Sequence, residues 1–218
     1  MKSYYETDIT VDSALKFNPK EIILSNPSQP TANCRTEMWM PDAGGVWYFD
    51  SNEMFNQEWL DYANLGITGV FVFHRKAGYQ HPSAHIDSYP VDNVLTPVCA
   101  GYNWVLDYDD KAQMIWYDPW WDANDRTQSE HAAQGLIRHP TYSAECINSG
   151  TMYYQETPID YLNERERHSL RTDIITLCRT DIPHNVCAGI KDRWCMSLRT
   201  YPVLDNNWAS AITSYHTR

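Results

Sequence analysis

His85 and Asp87 stand two residues apart in the stretch QHPSAHIDSYP, and His184 lies far downstream in TDIPHNV. Side chains two apart on an extended segment point to the same side, so the imidazole and the carboxylate can converge on one cation. With eight His and 28 acidic residues in 218, about one His-x-acid pair arises by chance, so the spacing alone does not make a site. The context adds to it. The pair lies between the apolar runs GVFVFH and VCAGYNWVL, and Arg193 follows His184 by nine residues, across a short turn, at the start of RWCMSLR. Two imidazoles and one carboxylate on one face are the ligand set of a non-haem iron centre, which leaves positions open for a cosubstrate and oxygen.

Strand alternation nominates the groups that would face such an ion. In RWCMSLR, Arg193, Cys195, Ser197 and Arg199 share one face, and Trp194, Met196 and Leu198 share the other. An arginine-bearing face inside a barrel needs an anion, and a planar guanidinium meets a carboxylate through two parallel hydrogen bonds. Arg193 and Arg199 are the two candidates, with a surface position at a strand end as the plainer reading of Arg199. In VCAGYNWVL, Cys99, Gly101 and Asn103 form a small, polar face, and Tyr102, Trp104 and Leu106 a bulky one. Asn103 is the candidate second contact to an anionic cosubstrate, and Tyr102 takes that place if the facing is inverted. His74 and His81 lack a partner at ligand spacing and read as structural or solvated. His131, His139, His168 and His216 have no supporting context. IWYDPWWD reads as core and loop packing before it reads as a substrate cage.

These groups need elements to hold them. TEMWMP and GVWYFD read as strands around the turn PDAG. NEMFNQEWLDYAN reads as one helix, with Ser51 as N-cap and Gly66 just past its end. GVFVFH, VCAGYNWVL and QMIWY read as strands, the last two separated by the acidic turn DYDDK. PIDYLNERERHSL reads as a short helix with Pro158 in its first turn. LCRTDIPHNV, CAGIKD and RWCMSLRTY read as strand, hairpin loop and strand. Residues 1–35 show no strong periodicity.

Length and composition fit one domain over residues 1–218, rich in large aromatics with nine Trp and fifteen Tyr, which leans towards a β-rich fold. The six Cys show no Cys-x-x-Cys spacing, and the amino terminus has no apolar signal-peptide core. A reduced, cytoplasmic protein without structural zinc is the expectation. No apolar run approaches the ~20 residues that cross a bilayer. A formal net charge of −11 argues against nucleic-acid and anionic-membrane partners and for a small molecule or a peptide.

The order of HID, PHNV and RWCMSLR resembles that of the Fe(II)- and 2-oxoglutarate-dependent dioxygenases, particularly the prolyl-hydroxylase and aspartyl-hydroxylase-like branches, over residues 68–200. The resemblance implies a mainly β fold with a few helices, a double-stranded β-helix or jelly roll of the cupin type. It implies Fe(II) held by His85, Asp87 and His184, and 2-oxoglutarate anchored through its distal carboxylate by Arg193. It also implies O2-dependent hydroxylation coupled to decarboxylation to succinate, since the relatives that halogenate have a small residue where Asp87 stands. Residues 118–157, polar and poorly patterned, would then be an insertion or lid between core strands, their aromatics and Arg126 and Arg138 facing an anionic or amphipathic substrate. The rival readings are a metal-dependent cupin that does not use 2-oxoglutarate and a non-catalytic jelly-roll binding module.

Overall fold

The computed structural model describes residues 2–80, 83–91, 94–107, 109–118, 137–139, 153–200 and 207–217. The chain is mainly β. Its strands are β1 (Tyr4–Thr10), β2 (Arg35–Met40), β3 (Gly44–Asp50), β4 (Ile67–Arg75), β5 (Ser83–Val91), β6 (Val94–Pro97) and β7 (Ala100–Val105). They continue with β8 (Gln113–Tyr117), β9 (Ile137–His139), β10 (Tyr153–Pro158), β11 (Glu164–His168), β12 (Ile174–Arg179), β13 (His184–Cys187) and β14 (Arg193–Thr200). Four short helices accompany them among the described residues: α1 (Pro19–Ser25), α2 (Ser51–Met54), α3 (Gln57–Ala63) and α4 (Trp208–His216).

The strands form two antiparallel sheets. The first runs β1-β12-β7-β14-β4-β3-β2, and the second β11-β8-β13-β5-β10-β9 with β6 also paired to β5. The two faces of the first sheet have different tasks. Trp47, Phe49, Val70, Val72, Tyr102, Trp194, Met196 and Leu198 point to one side and bury themselves with Ile23 of α1, Met54 of α2, Trp59 of α3 and Trp208 of α4. On the other side Val105, Cys178 and Cys195 meet Met114 and Trp116 of the second sheet. The molecule is thus layered as helices, first sheet and second sheet, each strand of the first sheet sending alternate side chains into one layer or the other.

The hairpin of β2 and β3 and the strands β4, β7, β8 and β14 lie where alternation and apolar runs place them. Four expectations are corrected. The helix expected across Asn52–Asn64 is two helices, because Phe55 and Asn56 are extended (φ −105°, ψ 148° and φ −69°, ψ 138°). The strand-like segment at Leu15 pairs with Phe55 there, and Asn56 N–H donates to Ala14 O at 2.9 Å, bonds that a continuous helix would have used internally. Asp50, not Ser51, occupies the N-cap position. PIDYLNERERHSL is a single 3₁₀ turn at Ile159–Tyr161 followed by β11 on the sheet edge. The segment from β12 to β14 is not a hairpin, because β13 leaves the first sheet for the second and β14 returns. β1, β6 and α4 complete the fold where no pattern announces them.

Candidate metal centre

β5 and β13 bring the three expected ligands together. His85 and Asp87 project from β5, and His184, the first residue of β13, stands directly opposite His85 across the ladder. The two imidazole centroids are 4.3 Å apart. Asp87 Oδ1 lies 3.5 Å from His85 Nε2 and 3.9 Å from His184 Nε2, and all three groups can place a ligand atom within 4.8 Å of one another. Backbone bonds hold the corner: Asp87 N–H donates to Thr180 O at 3.1 Å, and Val98 N–H donates to Asp87 O at 2.8 Å. Beside it Arg179 and Asp181 make a buried ion pair at 2.6 Å, and Trp116 Nε1–H donates to Arg179 O at 2.8 Å.

The hydrogen bonding at His184 sets what the trio can hold. Its Nδ1 is 3.0 Å from the Ile182 carbonyl, which can only accept, so the proton of the neutral ring sits on Nδ1. In that ring Nε2 keeps its lone pair 3.9 Å from Asp87 Oδ1, an acceptor near an acceptor. A cation resolves that conflict, and a carbonyl bond to the far ring nitrogen is the usual support of a metal-bound imidazole. Octahedral ligands at about 2.1 Å from an ion lie about 3.0 Å from their cis neighbours, so small side-chain shifts close the site. Burial pushes the Asp87 carboxyl up from its ordinary range, while His184, when its ring is protonated, and Arg199 draw it back down. The residues fit a divalent metal with two nitrogen ligands and one oxygen ligand.

The trio opens on a cavity of about 140 Å³ between the two sheets, far more than the 10–15 Å³ that holds one water. Its opposite wall is the inner face of the first sheet: Arg193, Cys195, Ser197 and Arg199 of β14, Asn103 of β7, and Phe73 and Arg75 of β4. Arg199 is thus buried in the cavity wall and is not a surface residue at a strand end. Asn103 faces the cavity, and Tyr102 does not: it is buried among the core residues behind the sheet, so the bulky face is the core face. Cys99 also departs from the expected polar face and packs in that core, because the regular alternation starts only at Ala100.

Arg75 is a charged cavity residue that the sequence does not nominate, as are Tyr79, Thr180 and Asn185 among the polar residues of the lining. Arg75 ends the apolar run GVFVFHR, where a charge reads as a solvated strand end. Its parity with Phe71 and Phe73 was the available signal. Its guanidinium is fixed by Nη1–H bonds to His74 O (2.9 Å) and Gly45 O (3.2 Å), and it stands directly opposite Arg193 in the β4–β14 ladder. His74 and His168 keep plain roles. His74 is buried, 2.8 Å from Asp192 Oδ2, and stacked on Trp194, while His168 stacks on Tyr4. Trp116 of IWYDPWWD is core. Of the expected lid at 118–157, Asp118 and the strands β9 and β10 are described, β10 pairing Tyr154 with Asp87 and Glu156 with His85. Trp120, Trp121, Arg126, His131 and Tyr142, like His81, lie outside the described residues.

No helix among the described residues is long and apolar enough to cross a membrane. Comparison with protein-family models and with curated proteins finds no match.

Proposed function

We propose that the chain is a double-stranded β-helix, jelly-roll oxygenase of the cupin type that depends on Fe(II) and 2-oxoglutarate and hydroxylates a small molecule, such as an amino acid, or a peptide side chain. The observation that carries this reading is the facing of the two walls: two imidazoles and one carboxylate converge on one side of the cavity, and guanidinium groups stand on the other. His85, Asp87 and His184 would hold the iron, which when bound supplies the activation of O2 at the expense of the cosubstrate. Arg193 would grip the distal carboxylate of 2-oxoglutarate through its planar fork, with Asn103 offering an amide beside it. Asp87 contributes a negative charge that offsets the metal's. The Ile182 carbonyl keeps the His184 lone pair turned inward. Burial of Met114 and Trp116 between the sheets keeps bulk water from that side of the site.

Anaerobic addition of Fe(II) and then 2-oxoglutarate should raise a metal-to-ligand charge-transfer band in the visible spectrum. That band should be absent from His184→Ala and His85→Ala. Tight iron binding unchanged in both variants would remove the metal assignment, and iron binding without the band would leave a metal-dependent protein that uses no 2-oxoglutarate.

A further inference from the structure

His184 reaches the second sheet through a crossover. β12 ends at Arg179 in the first sheet, β13 begins at His184 in the second, and residues 180–183 between them belong to no helix or strand. A segment without a ladder needs other bonds if the imidazole at its end is to keep one orientation. Its carbonyls supply some of them. Thr180 O accepts from the Asp87 N–H at 3.1 Å, Ile182 O lies 3.0 Å from His184 Nδ1, and Pro183 O accepts from the Tyr117 N–H at 2.9 Å. Two of the three thus act on candidate metal ligands, on the backbone of Asp87 and on the ring of His184.

A carbonyl orients a ring only as well as it is itself held. Thr180 is fixed by its N–H to Cys99 O at 3.1 Å and by its hydroxyl to Val98 O at 2.6 Å. Around Thr180, Arg179 and Asp181 close a fork: Arg179 Nε donates to Asp181 Oδ1 at 2.6 Å and Nη2 to Oδ2 at 3.3 Å, and both residues are buried. The backbone of Arg179 is anchored in turn, its N–H donating to Ser3 O and its carbonyl accepting from Trp116 Nε1–H, each at 2.8 Å. Removing two charges from water is costly, and a pair two residues apart ties no distant elements together, so overall stability does not account for it. What the fork fixes is the direction in which the chain leaves β12. Asp181 stands between the Thr180 and Ile182 carbonyls.

We infer that the Arg179–Asp181 pair is a positioning device: by holding the bend between those two carbonyls, it keeps the His184 ring as the single tautomer protonated on Nδ1, with Nε2 on the Asp87 side. That the ring so held receives a metal rests on the oxygenase reading; the effect on the ring itself does not. Removing one partner would strand the other as a buried charge and lower stability by itself, so the informative variant removes both.

The test is a long-range 1H–15N correlation spectrum of the imidazoles of the apoprotein in mildly alkaline buffer, followed by titration of the same samples with Co(II), read by its visible absorption. Wild type should show His184 as one tautomer. Arg179→Met/Asp181→Leu should melt close to wild type, show His184 as a mixture of both tautomers, and bind Co(II) about tenfold or more weakly with altered absorption bands. Arg179→Lys, which keeps the charge and loses the fork, should act in the same direction by a smaller factor, above about threefold, and serves if the double variant does not fold. A single Nδ1–H tautomer in both variants would overturn the proposal, whether Co(II) affinity is kept or lost, as would a wild-type ring that is already a mixture. If wild type binds no Co(II) while the variants still release the tautomer, the positioning stands and the metal reading falls.

Discussion

A buried guanidinium and a buried imidazole carry information through their partners. At His184 the informative partner is the Ile182 carbonyl, since it turns a histidine that merely lies near an acid into one whose lone pair meets that acid. At Arg193 it is Arg75, whose charge standing opposite in register makes an anion part of the site's energetics. Arg193→Met should raise the dissociation constant of 2-oxoglutarate at least about tenfold, in keeping with ~2–5 kcal/mol for a charge left without its partner in a buried site, and should leave Fe(II) affinity nearly unchanged. Arg75→Met should weaken 2-oxoglutarate in the same direction by a smaller factor, because Arg75 shares its donors with two backbone carbonyls. A silent Arg193→Met beside a crippled Arg199→Met would exchange the roles of the two arginines. His85, Asp87 and the cavity face of β14 were legible in the sequence because a period of two leaves no freedom once a strand is granted. Whether Asn103 or Tyr102 looked inward was not, since alternation divides a strand into two faces without naming the one that meets the core.

Among the elements, legibility followed burial. β3, β4 and β14 sit in the middle of the first sheet, and their apolar runs announce them. β11 is an edge strand, largely solvent-facing, so its Glu-Arg-Glu-Arg-His run has no apolar period to distinguish it from a polar helix. The helix over Asn52–Asn64 fails because a distant segment claims the backbone of Phe55 and Asn56, a contact invisible to local periodicity. The core face of β14 can be tested apart from the cavity face. Trp194 is almost wholly buried, stacked on His74 and Trp47, so Trp194→Ala should cost ~3–5 kcal/mol of unfolding free energy in urea. A loss below about 1 kcal/mol would mean that the packing behind the sheet is looser than described. Two strand-end histidines make stability depend on pH. Burial holds His74 and His168 below the ordinary imidazole range, opposed by Asp192 and by Glu6 respectively. The folded chain then takes up protons at these positions less readily than the unfolded chain, so stability is full above about pH 6.5 and declines as pH falls towards the lower folded values. Thermal melts at pH 7 and pH 5 should show the decline in wild type and a smaller one in His74→Gln/His168→Gln; equal declines would locate the proton-linked loss elsewhere.

At the scale of the whole molecule, the two sheets divide the candidate site. Among the described residues, the metal-ligand candidates lie on the second sheet, in β5 and β13, and the cavity-facing guanidinium groups lie on the first, in β4 and β14. A metal alone therefore ties together neighbouring strands of one sheet, and an anion alone ties together neighbouring strands of the other. Only a ligand that chelates the metal and also reaches the arginines bridges the two layers. That arrangement predicts coupling: 2-oxoglutarate should bind at least about tenfold more tightly to Mn(II)-loaded protein than to apoprotein, and by linkage Mn(II) should gain the same factor from 2-oxoglutarate. The melting temperature with both present should exceed the sum of the separate shifts, because each ligand then binds a folded state that the other has already favoured. Glutarate supplies the control, since it carries the distal carboxylate but lacks the keto group that chelates; it should compete for the arginine end and show little coupling to the metal. Shifts that simply add, with glutarate and 2-oxoglutarate behaving alike, would mean that no ligand joins the two walls and that the metal and the arginines serve separate ends.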